Sequence, residues 1–221
     1  MTILALEFSS PQRSVAVLRV GSATLSAEIV ETGGRGTNAF GMIENALAEA
    51  KLEREQIEAI AAGLGPGSYT GIRAAISIAQ GWQLARAVKL LGVSSVEAIA
   101  AQARAEKILG RVSVVIDAQR NEFYLAMYEI AQAGWREIEP LKILPRAEVQ
   151  SRAAGGEILI GPEVAKWFPN GRTIFPGAAA LAKLASCRND FVPGEKLEPV
   201  YLREADFLKS PPRRPGAGRM S

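Results

Sequence analysis

Residues 3–8 are apolar apart from Glu7, apolar and polar positions alternate over 14–20 and 24–30, and then the period changes. Alternation marks a strand with one buried face, and an unbroken run marks a strand covered on both. Gly21-Ser22, between the alternating stretches, is a hairpin signal. Over residues 37–52 the spacing becomes helical, with Phe40, Ile43, Leu47 and Ala50 recurring every three or four positions. A buried strand at 57–62, a helix at 70–86, a strand at 90–93 and a helix at 94–105 follow. Ser94 and Glu97 predict a capping box on the last helix, the serine oxygen and the glutamate each taking one unpaired amide.

The rest of the chain runs through the same order. Residues 112–116, 122–129 and 135–144 read as strands, 146–152 as a helix and 157–160 as a strand. A helical turn at 163–168, a strand at 172–175 and a helix at 178–188 complete the set. Each half is β-β-β-α-β-α-β-α, without sequence identity between the two. Two such halves facing each other across a cleft form the architecture of actin, Hsp70 and the sugar kinases. The expected fold class is therefore α/β and actin-like, with halves at 1–105 and 106–202. Residues 203–221, rich in proline and arginine, read as a disordered basic tail.

Composition narrows the chemistry. The 221 residues hold 26 basic and 23 acidic side chains; five and two of these lie after residue 202, leaving 21 of each before it. The body is neutral and the net +3 belongs to the tail, so no basic nucleic-acid face is expected. There is no histidine and one cysteine, Cys187. Serine–histidine and cysteine–histidine catalysis, histidine metal sites, cysteine zinc clusters and internal disulfides are excluded. The start lacks the basic and long apolar regions of a secretory signal, and Gln80, Gln83, Arg86 and Lys89 interrupt the apolar window 74–93. A cytoplasmic protein without membrane contact is expected.

The most unusual segment, Gly63-Leu64-Gly65-Pro66-Gly67-Ser68-Tyr69-Thr70-Gly71-Ile72-Arg73, joins a buried strand to a helix. That position suits an anion, but neither the P-loop lysine nor the dinucleotide glycine spacing is present. Tight turning and close packing is the favoured reading. The helix that follows carries two apolar faces. Ile72, Ala75, Ile76, Ala79 and Trp82 suit the sheet, while Gly71, Ala74, Ile78, Gly81 and Ala85 form a small-residue stripe for another helix of this chain or another protein.

These segments resemble the bacterial TsaB (YeaZ) family. The matching residues are Leu4-Ala5-Leu6-Glu7-Phe8-Ser9-Ser10, Arg13-Ser14-Val15-Ala16-Val17, and the glycine-rich segment from Gly65 to Arg73. Further on come Gly92-Val93-Ser94-Ser95-Val96-Glu97-Ala98, residues 116–124 (Ile116-Asp117-Ala118 onward) and Pro199-Val200-Tyr201-Leu202-Arg203. The resemblance implies a non-catalytic partner of TsaD, its catalytic paralogue, and of the ATPase TsaE, in forming threonylcarbamoyladenosine beside the anticodon of tRNA. It implies a homodimer in isolation, tRNA contact only through the complex, and docking through the helices at 37–52 and 70–86. Aligned on Gly92-Val93, the paralogue's two metal-binding histidines fall on Ser95 and Ile99, neither of which replaces imidazole. Glu7 and Phe8 depart from the family's usual Asp-Thr, while Asp117 matches the acid of the second phosphate loop. The adenosine loop of active members has paired glycines, and here Pro176-Gly177-Ala178 offers one.

The expectations are then these. There is no catalytic residue, resident metal or peptidase activity. No cofactor binds tightly, with weak ATP or ADP and magnesium at Glu7, Ser9, Ser10 and Asp117 or at the partner interface. That interface is Gly71, Ala74, Ile78, Gly81 and Ala85. The rival is a self-sufficient ATP-dependent phosphotransferase or ATPase of the same fold.

Overall fold

The computed structural model describes residues 1–21, 25–33, 36 and 38–202. The sequence expectations for residues 22, 24, 37 and 203–221 lie outside the described residues. The first sheet contains β1 (Thr2–Glu7), β2 (Gln12–Arg19), β3 (Ala27–Thr32), β4 (Ala59–Gly63) and β5 (Lys89–Val93), in the order β3-β2-β1-β4-β5. The second contains β6 (Gly110–Asp117), β7 (Glu122–Ala131), β8 (Gly134–Pro145), β9 (Ile158–Gly161) and β10 (Arg172–Thr173), ordered β10-β9-β6-β7-β8. Read from the other edge, the second order repeats the first. In each, three antiparallel strands are extended by two parallel ones, with registers such as Leu4↔Val17 and Ala5↔Ala61, or Val114↔Ala126 and Val114↔Ile160. This duplicated topology is the actin-like fold.

Among the described residues, six α-helices connect or follow the strands: α1 (Ala39–Ala50), α2 (Tyr69–Arg86), α3 (Ser95–Ala105), α4 (Arg146–Ala154), α5 (Val164–Trp167) and α6 (Ala178–Ser186). Strand β1 shows why the first sheet is a central layer. Leu4, Leu6 and Phe8 point into a core with α1 and α2. Ile3 and Ala5, on the opposite face, pack on Ala178, Leu181, Ala182 and Ala185 of α6. Successive apolar residues from Ile3 to Leu6 are what two covered faces require. Helix α3 leaves the first half to put Val96, Ile99, Ala100 and Ala103 onto the second sheet. Each half therefore lends its last helix to the other, and α3 and α6 pack against each other. Helices α4 and α5 close the outer face of the second sheet around Phe123, Leu125, Leu159 and Phe168. Among the described residues, no helix is long and apolar enough to cross a membrane.

Two local expectations are corrected. Ser94 makes no capping hydrogen bond at the start of α3, and Glu97 faces Arg188 at 3.8 Å instead. Phe40, read as a core position of α1, is 70% exposed; the buried face is Ala39, Met42, Ile43, Ala46 and Leu47. A phenylalanine at helical spacing fits the pattern, but the sheet lies one position further round.

Candidate functional site

The two halves meet at a cleft of about 560 Å³, formed where β1 and β6, the equivalent strands of the two sheets, come to their ends. Ser9, Ser10 and Arg13 line it from the first half and Asp117 from the second, with Tyr69 and Tyr201 at its mouth. The structure thus brings together three of the four residues expected to flank a nucleotide. A larger cavity of about 920 Å³, between α3, α6 and the turn after β7, holds Arg104, Trp135, Lys183 and Arg188 but none of them.

The fourth residue, Glu7, is corrected. It is fully buried behind the loop and not among the cleft's lining residues. Its Oε1 accepts the Ser9 N–H at 2.7 Å and its Oε2 the Ser95 hydroxyl at 2.9 Å, while Ser95 Oγ accepts the Gly65 N–H at 3.2 Å. Glu7 ties the end of β1, the glycine-rich loop and the start of α3 into one knot. It also takes the Ser9 amide that a phosphate loop would offer to its ligand. Ser95 is wholly buried and committed to this knot, and Ile99 is wholly buried in the core under α3.

Burial pushes the Glu7 carboxyl above its ordinary value of 4.5, and the hydrogen bonds from Ser9 and Ser95 offset part of the rise. A buried acid with a raised folded pKa binds its proton more tightly folded than unfolded, so stability declines as pH rises from 4.5 through the folded value. Glu7→Gln, which keeps the shape without the charge, is expected to flatten that limb in urea unfolding. Glu139, held down to about 2 by its hydrogen bonds from Arg152 and Lys142, acts in a separate window, its contribution being lost only as pH falls below 4.5. Equal slopes above pH 4.5 (the ordinary value) in wild type and variant would show Glu7 to be ionised at no cost.

The glycine-rich segment is explained by what approaches it. A Cβ on Gly67 would sit 2.1 Å from the Ser9 carbonyl oxygen, and one on Gly71 would sit 1.9 Å from that of Phe8. The loop after β1 lies flat on the start of α2, and Ser68 N–H donates to the Ser9 carbonyl at 2.7 Å. The glycines serve packing. Gly71 therefore belongs to this chain's own core, a second correction to the outward stripe. Ala74 and Ile78 are half-buried against the same core, whereas Gly81 and Ala85 are exposed.

Asp117 ends β6 with Oδ1 accepting the Gln119 N–H at 2.7 Å. After Ala118, Gln119, Arg120 and Asn121 have φ of 65°, 56° and 63°. Left-handed backbone costs a non-glycine residue about 1 kcal/mol or more, and the turn is held by Ala118 N–H to the Glu122 carbonyl at 3.0 Å and Arg146 N–H to that of Asn121 at 3.1 Å. At the single-glycine loop, the Ala178 N–H donates to Ser14 Oγ at 2.8 Å and the Ala179 N–H to Glu28 at 3.0 Å. These first amides of α6 are already used within the chain.

Arg13 Nε, on a lining residue of the cleft, is buried without a hydrogen-bond partner. Arg13, Tyr69 and Tyr201 are among the lining residues that sequence reasoning did not select as a site. Arg13 and Tyr201 were visible only as members of short matching segments, and the strap that carries Tyr201 reaches the cleft from the far end of the chain.

A family model described as TsaD, tRNA N6-adenosine threonylcarbamoyltransferase, matches residues 37–168. The chain is 29% identical over 220 residues to the tRNA threonylcarbamoyladenosine biosynthesis protein TsaB of Escherichia coli, covering 92% of this chain and 95% of that protein. It is 30% identical over 210 residues to an uncharacterised protein of Mycobacterium tuberculosis, covering 93% of each. Among solved structures, YeaZ from Pseudomonas aeruginosa superposes with a TM-score of 0.77 at 30% identity, covering 91% of this chain and 99% of that one.

Proposed function

The chain belongs to the TsaB (YeaZ) family, and from that premise we propose that it is a non-catalytic subunit for forming threonylcarbamoyladenosine in tRNA. It docks on a TsaD-type catalytic paralogue, in a complex with a TsaE-type ATPase. Alone it is a homodimer through the same surface, and it meets tRNA as part of the complex. The observation that carries this reading is the fate of the two positions aligned with the paralogue's histidines: Ser95 is locked to Glu7, and Ile99 is core. The docking surface is the outer side of α1 and α2. Phe40 on α1 is 70% exposed and Leu84 on α2 is 90% exposed, on two helices that cover the same face of the first sheet. Large apolar side chains in water beside exposed Gly81 and Ala85 suit a helical partner.

Reconstitution with the other subunits and unmodified tRNA tests the reading. Omitting this chain is expected to abolish the modified nucleoside, measured by mass analysis of digested tRNA, while the chain alone makes none. ATP turnover by the isolated chain would favour the self-sufficient ATPase.

Nucleotide affinity in the cleft is expected to be weak, because Ser9 N–H is already given to Glu7. Titration calorimetry with Mg-ATP is expected to show Asp117→Ala weakening whatever binding exists. The melting temperature should fall only a few degrees, about what one lost turn-capping hydrogen bond costs. Tight ATP binding unchanged by the substitution would place the nucleotide elsewhere.

A further inference from the structure

We propose that the cavity between α3, α6 and the turn joining β7 to β8 binds a small amphipathic anion, a molecule with one carboxylate or phosphate group on an aromatic or branched apolar body. At about 920 Å³ it has the volume of a small-molecule pocket, and it shares no lining residue with the cleft at the ends of β1 and β6.

The crossing of the two halves makes this cavity. Helix α3 is rooted in the second half's core through Val96, Ile99 and Ala103, and α6 in the core on the far face of the first sheet through Leu181 and Ala185. The two helices pack against each other, and beside that contact they present Ala101 and Ala105 from α3 and Ala179 and Leu184 from α6. Short side chains there leave open the space that larger ones would fill. Trp135, half-buried against the second core, makes the remaining wall. Junctions between structural units are where ligand pockets concentrate, and this one is walled by both halves.

Charge selects the ligand. Arg104, Lys107, Lys183 and Arg188 line the cavity against one acid, Glu97, in a body whose charges cancel up to residue 202. The two arginines brace the walls. Arg188 Nε donates to Asp190 at 3.0 Å and the guanidinium faces Glu97 at 3.8 Å. Arg104 gives Nε and Nη2 to the Gln132 carbonyl at 3.1 and 2.8 Å and lies 5.7 Å from the Trp135 centroid, pinning the turn to α3. The ammonium groups of Lys107 and Lys183, both exposed, have no hydrogen-bond or ion-pair partner among the described residues. They are left to meet the charged head of a ligand whose apolar body covers the alanines, Leu184 and the indole. An anion without such a body gains only screened surface attraction, and burial of apolar area supplies the rest.

The test uses the full chain and three probes: anilinonaphthalene sulfonate, whose emission rises when it leaves water, its uncharged counterpart phenylnaphthylamine, and inorganic phosphate. The sulfonate, standing in for the carboxylate or phosphate, is expected to saturate a single site. It should bind more tightly than the uncharged probe, by a margin that shrinks with added salt, and phosphate should not displace it. Lys107→Glu with Lys183→Glu should leave the melting temperature unchanged and weaken the sulfonate about ten-fold, since two surface attractions become repulsions. Ala105→Trp, at an exposed lining position, fills the cavity and should block both aromatic probes. Cys187, the chain's single cysteine, lines the cavity and is exposed, so it reports location independently. Bound sulfonate should slow its alkylation by iodoacetamide in the wild type and not in Ala105→Trp. Absence of saturable binding overturns the proposal. So does sulfonate binding that ignores both variants and leaves Cys187 unprotected, which would put the probe on another apolar surface such as that of Phe40 and Leu84. Displacement by phosphate overturns the amphipathic class and leaves a site for a simple anion.

Discussion

Gly71→Ala is expected to destabilise the protein by about 3 kcal/mol, the upper end for forcing an extra carbon into a packed site. The added Cβ would meet the Phe8 carbonyl oxygen at 1.9 Å, and that oxygen belongs to the backbone directly after a strand buried from Ile3 to Glu7. Unlike the tip of a flexible side chain, it can retreat only by moving β1. Gly81→Ala on the same helix meets nothing within 4 Å and should add about 1 kcal/mol by replacing a poor helix former with the best one. For a chain of this length 1 kcal/mol shifts the melting temperature by about 2–4 °C. The two glycines should therefore move it in opposite directions, by about 6–12 °C down and 2–4 °C up. A Gly71→Ala protein melting with the wild type would mean that the loop after β1 does not lie against α2.

The second large effect is on assembly. Ala85→Arg and Gly81→Arg place a guanidinium on the exposed part of α2, where the monomer has room for it. Their melting temperatures should stay close to that of the wild type. Within a close-packed helical seam, an unpaired buried charge costs several kcal/mol, weakening association about a hundred-fold or more. Both variants are expected to run as monomers in size-exclusion chromatography with light scattering, and to fail in the reconstituted reaction. If both remain dimeric, α2 is not the seam. Ala74→Arg is a different experiment. Ala74 is half-buried against the chain's own core, so that substitution should lower stability as well as assembly.

The element order was legible because each half keeps its periodicities clean. Strands β6, β7 and β8 were read as 112–116, 122–129 and 135–144 and extend only one to two residues further at their ends. What failed was what depends on direction. Phe40 has the spacing of a core residue, but the helix is rotated so that Met42, Ile43, Ala46 and Leu47 meet the sheet. Gly71 has the look of an outward small-residue stripe, yet it faces the Phe8 carbonyl. Period tells which residues share a face; it does not tell which face meets the neighbour. Ser94 and Glu97 have capping-box spacing, and Arg188, from near the end of the chain, faces the glutamate.

The sequence by itself determined the two-half architecture, the absence of imidazole chemistry, and the candidates Ser9, Ser10 and Asp117, since residue types and periods are local properties of the chain. Only the tertiary structure decided their company. Glu7 is a buried knot because Ser9, Gly65 and Ser95 converge there from three elements. Tyr201 stands at the cleft because one hydrogen bond to Leu64 turns the final strap across a loop more than a hundred residues upstream. Pairings between residues so far apart arise from packing that no local pattern records, and the site is made of them.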